Sequence, residues 1–161
     1  MKGQDTERFA GVLAQCRELV HLNLAGNEIG DVEAEMFAGV LGQCPALAHL
    51  NLCNNEIGEA GSESLAEVLG QCASLAHLDL CYNQIGPAGA FLAGVLGHCA
   101  ALTHLDLEGN KIGNSGAEGL AGVLPKCAAL AHLDLSRNGI GAVCKGRLRA
   151  SWRGQASGLD L

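Results

Sequence analysis

One string returns five times along this chain: Leu-x-His-Leu-x-Leu, then Asn, then Ile-Gly. The copies begin at Leu19, Leu47, Leu75, Leu102 and Leu130, and their asparagines are Asn27, Asn55, Asn83, Asn110 and Asn138. The spacing of 28, 28, 27 and 28 residues is the signature of a stacked repeat architecture. Each coil of such an array is one supersecondary unit that cannot bury its own apolar side, so the core forms only when neighbours stack.

Residues 65–92 show what one coil contains. Leu65, Val68 and Leu69 recur at helical spacing, and the helix ends near Gly70. Leu75, Leu78 and Leu80 then alternate with polar residues, as in a strand with one buried face. Asn83 follows, then the breaker-rich turn Ile85-Gly86-Pro87-Ala88-Gly89. Repeating strand, turn and helix in one direction gives parallel strands with every helix on one side. Strands sit about 4.8 Å apart and helices 8–10 Å apart. The stack must therefore curve, with strands on the concave side and helices on the convex side. The repeated Asn, a donor and an acceptor in one side chain, reads as a structural ladder where the chain turns out of each strand.

The pattern Leu-x-x-Leu-x-Leu-x-x-Asn-x-Ile-Gly, followed by a Leu-Ala-x-Val-Leu helix and a Cys, resembles the leucine-rich repeat. The 28-residue length and helical convex side resemble its ribonuclease-inhibitor-like class, which also forms arrays in nucleotide-binding immune receptors. The resemblance covers residues 9 to about 141. It implies a curved α/β solenoid and a protein-binding scaffold, without naming a partner, since one fold serves many tasks.

The expected organisation is a single domain over residues 1–161: an N-terminal half-coil (1–18), five repeats (19–141) and a C-terminal cap (142–161). The half-coil carries a helix through Phe9, Val12 and Leu13. In the cap, Trp152, the sole tryptophan, covers the end of the stack, and Gly158–Leu161 form a truncated sixth strand. The first strand, at Leu22 and Leu24, would present an unpaired edge, where an end-to-end contact with another chain is one expectation. Two irregularities argue against an idealised consensus repeat: Asp31-Val32-Glu33 in coil one, and the missing residue of coil three near Pro87–Phe91.

Charge is unevenly spread. The net charge of −7 contains an acidic body, residues 18–110, with twelve acidic side chains and no Lys or Arg, and a tail, residues 111–161, with seven basic and three acidic ones. Such a body is a poor nucleic-acid binder, because phosphate neutralisation needs Lys and Arg, and it favours a partner with a basic surface. No apolar run reaches membrane-span length, and the polar start Met1–Asp5 lacks the apolar segment of a signal peptide. The expectations are a protein partner, no nucleic acid, no membrane, and a cytoplasmic setting.

Of the eight cysteines, Cys16, Cys44, Cys72, Cys99 and Cys127 share one repeat position and read as small stacked hydrophobes. Cys53 and Cys81 lie side by side on the concave face. They are expected to be two free, partly exposed thiols, because side-by-side parallel strands rarely offer the torsion of a disulfide.

With the leucines pointing inward, the concave face carries columns. One is His21, His49, His77, His104 and His132; beside it run Asn23, Asn51, Asp79, Asp106 and Asp134, then Ala25, Cys53, Cys81, Glu108 and Ser136. Tyr82 and Arg137 lie at the lip, and both residue types are enriched among binding hot spots. The candidate partner-binding residues are His49, Asn51, His77, Asp79, Tyr82, His104, Asp106, Glu108, Asp134 and Arg137. Identical columns are what duplication copies, so specificity is expected where coils differ: Tyr82, Glu108, Arg137 and the change from Asn to Asp after coil two.

No catalytic, cofactor or metal-ligand set stands out: there is no activated nucleophile, no glycine-rich phosphate loop, and no pocket to exclude water. The leading reading is a non-catalytic scaffold binding a protein on its acidic, His-lined face. One alternative is a segment of a larger receptor-like or GTPase-regulating protein. Another is a metal- or pH-responsive binder, with ladder histidines titrating above their ordinary value beside the aspartates.

Overall fold

The computed structural model describes residues 4–88, 92 and 99–161. The elements run α1 (Gln4–Leu13), β1 (His21–Asn23), α2 (Asp31–Leu41), β2 (His49–Asn51), α3 (Glu59–Leu69), β3 (His77–Asp79), a 3₁₀ turn (Gly86–Ala88), β4 (His104–Asp106), α4 (Gly113–Val123), a 3₁₀ turn (Leu124–Lys126), β5 (His132–Asp134), α5 (Ala142–Ser151), a 3₁₀ turn (Ala156–Gly158) and β6 (Leu159–Asp160). The six strands form one parallel sheet in sequence order. The architecture is the curved α/β repeat solenoid that the 28-residue period predicts.

Register follows from the repeat. His21 pairs with His49, His49 with His77, His77 with His104 and His104 with His132. Each three-residue strand buries its central leucine, so a one-residue slip would turn that leucine outward. Between sheet and helices the core is continuous: Leu50, Leu52, Ile57, Leu65, Leu69, Leu75, Leu80 and Ile85 are at most 2 % exposed.

The asparagine ladder ties coil to coil. Asn55 donates through Nδ2 to the carbonyls of Leu24 (3.0 Å), Leu52 (2.9 Å) and Cys53 (3.2 Å), and its Oδ1 accepts the backbone N–H groups of Asn27 and Ile29, each at 3.0 Å. Asn83, Asn110 and Asn138 repeat the arrangement. The cysteine row does a smaller version of this job on the helix side. Cys44, Cys72 and Cys99 point their thiols at the carbonyls of Leu13 (3.5 Å), Leu41 (3.8 Å) and Leu69 (3.5 Å) of the preceding coil. Burial, the largest cause, pushes all three thiols and that of Cys127 up, Cys99 to about 11.

The departure in coil one has a structural reason. Asp31 Oδ1 accepts the N–H groups of Gly58 (2.7 Å) and Gly61 (2.9 Å), so coil one caps the N-terminus of α3 in coil two. Asn114 does the same for Gly141 at the start of α5 (2.8 Å). In coil three, residues 89–91 of the shortened stretch lie outside the described residues.

Two expectations need correcting here. In α1 the buried positions are Thr6, Ala10 and Leu13, and Phe9 packs partly buried against the core and the Phe37 ring, whereas Val12 is 58 % exposed and is the one of the three expected apolar positions that faces out. Cys53 and Cys81 are joined by a disulfide, their Cα atoms 4.6 Å apart. That approach is slightly closer than the ordinary strand spacing and inside the disulfide range, so side-chain rotation brings the sulfurs together. The six other cysteines are free.

At the C-terminal end, β6 pairs with β5 through Leu133–Leu159 and Asp134–Asp160. Trp152 packs against the core and donates Nε1–H to the Gln155 carbonyl (2.8 Å). At the other end, among the described residues, β1 has β2 as its one neighbour. No described helix is long and apolar enough to cross a membrane.

Candidate functional site

The concave side of the sheet is an open trough of about 610 Å³, lined by the histidine and Asn/Asp columns from β1 to β5 and by Asp160 of β6. Alternation along each strand puts these side chains there: with the central leucine inside, both flanking residues face out. Of the ten candidate residues, His49, Asn51, His77, Asp79, His104, Asp106 and Asp134 line this trough, together with His21, Asn23 and His132.

The five imidazoles form a stacked column, with ring centroids 4.2, 4.4, 4.2 and 5.0 Å apart and interplanar angles of 13–18°. Thr103 locks one of them, its Oγ1 lying 2.9 Å from His104 Nδ1 while it donates to the Ala76 carbonyl at 3.1 Å. The column opposes protonation at its centre. Burial first, then the neighbouring His104 and His49, hold His77 below its ordinary value of 6.5. The expected upward shift is thus reversed at this residue, first because burial disfavours the charged ring and then because its neighbours in the stack are other imidazoles, each repelling a second positive charge.

The Asn/Asp column has a duty the sequence did not disclose. In every coil the side chain's Oδ1 accepts the backbone N–H two residues on: Asn23 from Ala25 (3.0 Å), Asn51 from Cys53 (2.9 Å), Asp79 from Cys81 (3.0 Å), Asp106 from Glu108 (2.9 Å) and Asp134 from Ser136 (2.8 Å). This Asx turn bends the chain out of the strand. A carboxylate and an amide serve it equally, so the change from Asn to Asp is free to alter charge. Its electrostatic consequence falls on Asp106. Burial raises its carboxyl above the usual range, Asp79, Asp134 and Glu108 add to the rise, and the bond from the Glu108 N–H opposes it.

The three lip residues at which coils differ come together. Tyr82 donates its hydroxyl to Glu108 Oε1 at 2.6 Å, and Arg137 Nε meets the same oxygen at 3.0 Å. One carboxylate therefore joins coils three, four and five. Tyr82 remains 43 % exposed, and its ring lies over Gly109, where a Cβ would come within 3.0 Å of Tyr82 Cδ1. The hydrogen bond to Glu108 is the main cause that raises the Tyr82 hydroxyl above its ordinary value. At this repeat position the backbone is left-handed in all five coils: Gly26 (φ 68°), Asn54 (54°), Tyr82 (50°), Gly109 (68°) and Arg137 (56°). Gly and Asn tolerate that region, whereas a Tyr or Arg there costs about 1–2 kcal/mol.

Among the described residues, one group of three or more His, Cys, Asp or Glu side chains has its donor atoms close enough to share an ion: Cys53, Asp79 and Cys81. Only Asp79 of these belongs to the expected partner face. The convergence escaped sequence reasoning because it depends on side-chain rotation at two neighbouring coils. The signal available was the pair of adjacent cysteines in one column.

A parallel sheet in sequence order with one helix layer, stitched by an asparagine per coil, defines a leucine-rich-repeat solenoid. The chain belongs to the leucine-rich repeat family: the family model described as "Leucine Rich repeat" matches residues 15–38, 71–92, 98–121 and 126–143, more than half of the chain. Compared by sequence with curated proteins, the chain has no significant match. Among solved structures it is similar to "Leiomodin-1 Actin-Binding Site 2 (ABS2)", with a TM-score of 0.77 and 15 % identity over 93 % of this chain and 88 % of that one. It is also similar to a Caenorhabditis elegans tropomodulin C-terminal domain, with a TM-score of 0.76 and 14 % identity over 92 % and 91 %. At such identities the likeness speaks for the fold.

Proposed function

We propose that this domain is a non-catalytic protein-interaction scaffold of the ribonuclease-inhibitor-like class, that residues 1–161 act as one unit of half-coil, repeats and cap, and that its partner docks on the concave face through a basic surface. The observation that carries the reading is the Tyr82–Glu108–Arg137 network at the rim of the His/Asp trough. Two non-glycine residues there, Tyr82 and Arg137, are held in left-handed backbone at a cost of about 1–2 kcal/mol each, which supports a use for their side chains. Asp79, Asp106 and Asp134 supply the negative charge beside it, and a basic partner would relieve their mutual repulsion. The six free thiols accord with the cytoplasm, a reducing compartment in which the Cys53–Cys81 disulfide is open to reduction. The open edge of β1 suits an end-to-end contact, as in a segment of a longer receptor-like or regulatory array.

The test uses substitutions the fold already accepts, since Asn stands at both equivalent positions of coil two, Asn54 and Asn51. Proximity labelling is compared between wild type and the double variant Tyr82→Asn/Asp106→Asn, with Val143→Ser on the exposed face of α5 as the control. Basic proteins labelled by wild type and by the control, and lost from the double variant, are expected. Equal labelling by all three chains would move the interface off the concave rim. Because one fold neighbour is an actin-binding site, purified actin makes a direct co-sedimentation arm.

A further inference from the structure

The Cys53–Cys81 pair lies apart from the hydrogen-bonded duties of the other columns. Cys44, Cys72, Cys99 and Cys127 are buried on the helix side, their thiols turned toward backbone carbonyls and pushed up by burial. Cys53 and Cys81 instead occupy neighbouring coils on the concave side, where Cys53 is partly exposed. Asp79, the last residue of β3, lies two residues before Cys81 and lines the concave trough. Its Oδ1 accepts the Cys81 N–H at 3.0 Å, and a carboxylate oxygen lies within 4.8 Å of both sulfurs. Glu108, next along the cysteine column, is held by Tyr82 and Arg137.

We propose that Cys53, Cys81 and Asp79 form a redox-gated site for a thiophilic d¹⁰ cation, Zn²⁺ in the first instance, closed when the disulfide is made and opened by a dithiol reductant.

The distances allow it. A tetrahedral zinc with Zn–S bonds of about 2.3 Å needs its two sulfurs about 3.8 Å apart. Parallel strands whose cysteines share a rotamer place the sulfurs about 4.8 Å apart, and the disulfide brings them to bonding contact. The zinc-bound separation lies between these two arrangements, within reach of side-chain rotation on a fixed backbone. The carboxylate is the third ligand and solvent takes the fourth position, so the site is an exchangeable one rather than a closed structural knot.

The chemistry balances. A dithiol attacks the Cys53–Cys81 bond by thiol–disulfide exchange; two electrons and two protons pass to the cysteines as the reductant closes into its own disulfide. Zn²⁺ then displaces both thiol protons to form two Zn–S bonds, and Asp79 adds a Zn–O bond. Calcium and magnesium, which prefer oxygen ligands, are poor occupants. This inference does not depend on the partner-binding reading.

The experiment uses the whole chain. One portion is kept oxidised; another is treated with a dithiol and desalted under argon. Intact mass distinguishes the two states by the hydrogens gained. Both are titrated with Zn²⁺, with Mg²⁺ as competitor, and Co²⁺ replaces Zn²⁺ for thiolate charge-transfer absorption. One zinc per reduced chain is expected, insensitive to Mg²⁺, with none on the oxidised chain. Cys53→Ser/Cys81→Ser should abolish it. Asp79→Asn, which retains the acceptor for the Cys81 N–H as Asn51 does for Cys53, should weaken affinity at least about tenfold, since even outer-shell losses at metal sites cost ~10–100-fold. A disulfide that the dithiol leaves intact in the folded chain, a reduced chain without stoichiometric zinc, or equal zinc on the oxidised chain or the double variant would each overturn the proposal. The oxidised wild type serves as the folded reference, so the comparison stands even if the double variant fails to fold.

Discussion

At the scale of single residues, the same chemical group does different work according to what it faces. Asn83 is buried, with Nδ2 bonded to the carbonyls of Leu52, Leu80 and Cys81 and Oδ1 accepting from Ile57 N–H. Asn83→Ala strands several backbone groups at once. Because each buried unsatisfied group costs ~1–3 kcal/mol, a loss of about 3 kcal/mol is expected in the urea unfolding free energy. Asp106 is the opposite case. Its carboxyl is raised in the folded state, so the folded chain binds the proton more tightly than the unfolded one. The resulting stability is present at low pH and lost as pH rises from the ordinary value of 3.8 through the folded one. At neutral pH the charge is a burden, and Asp106→Asn should raise stability by about 0.5 kcal/mol, roughly 1–2 °C in Tm. Calorimetry at pH 7 showing a lower Tm would refute that account. The column of five histidines was legible in the sequence. The sign of the effect at His77 was not, because burial of the ring comes first and the imidazoles of His104 and His49, stacked at 4.2–4.4 Å, add to it.

At the scale of elements, strands and helices carry equal and opposite evidence. The strands were readable residue by residue, because a three-residue strand with one buried leucine leaves no freedom of register. The helix faces were less so. Val12 has the spacing of a core residue yet points outward, since three short turns accommodate more than one apolar stripe. On the helix side, the cysteine row gives a prediction with a definite sign. The thiols of Cys44, Cys72, Cys99 and Cys127 are raised from 9.0, Cys99 to about 11. The folded state therefore keeps protons that the unfolded chain releases. Stability present below pH 9 should be lost as pH rises from 9 toward 11. Denaturant midpoints at pH 7.5, 9 and 10.5 should fall, and fall less in Cys99→Ala, which removes the most strongly shifted thiol.

At the scale of the molecule, stability is shared between coils, and beyond β5 it rests on the contacts of β6 and Trp152. Gly158 sits against the Ala131 carbonyl, where a Cβ would collide, and beside the Trp152 ring. Gly158→Ala is expected to displace the 3₁₀ turn and β6 from β5 and uncover the end of the stack. Hydrogen exchange should show early loss of protection in residues 132–160 while β1–β3 stay protected, because each coil contacts only its neighbours. Uniform loss across the sheet would instead indicate a single cooperative unit.

The amino-acid sequence by itself determined the period, the parallel order, the curvature and the membership of each outward column. These follow from local spacing repeated five times, and repetition averages away local ambiguity. Only the tertiary structure decided what happens between columns. It joined Tyr82, Glu108 and Arg137 through one carboxylate oxygen, turned the Asn/Asp column into backbone caps, bonded Cys53 to Cys81, and brought Asp79 to that pair. The caps act two residues on within a coil, whereas the carboxylate junction and the disulfide depend on side-chain rotation against the next coil, about 28 residues away, at separations of a few ångströms. Spacing along the chain specifies which residues become neighbours, and leaves open which of their atoms meet.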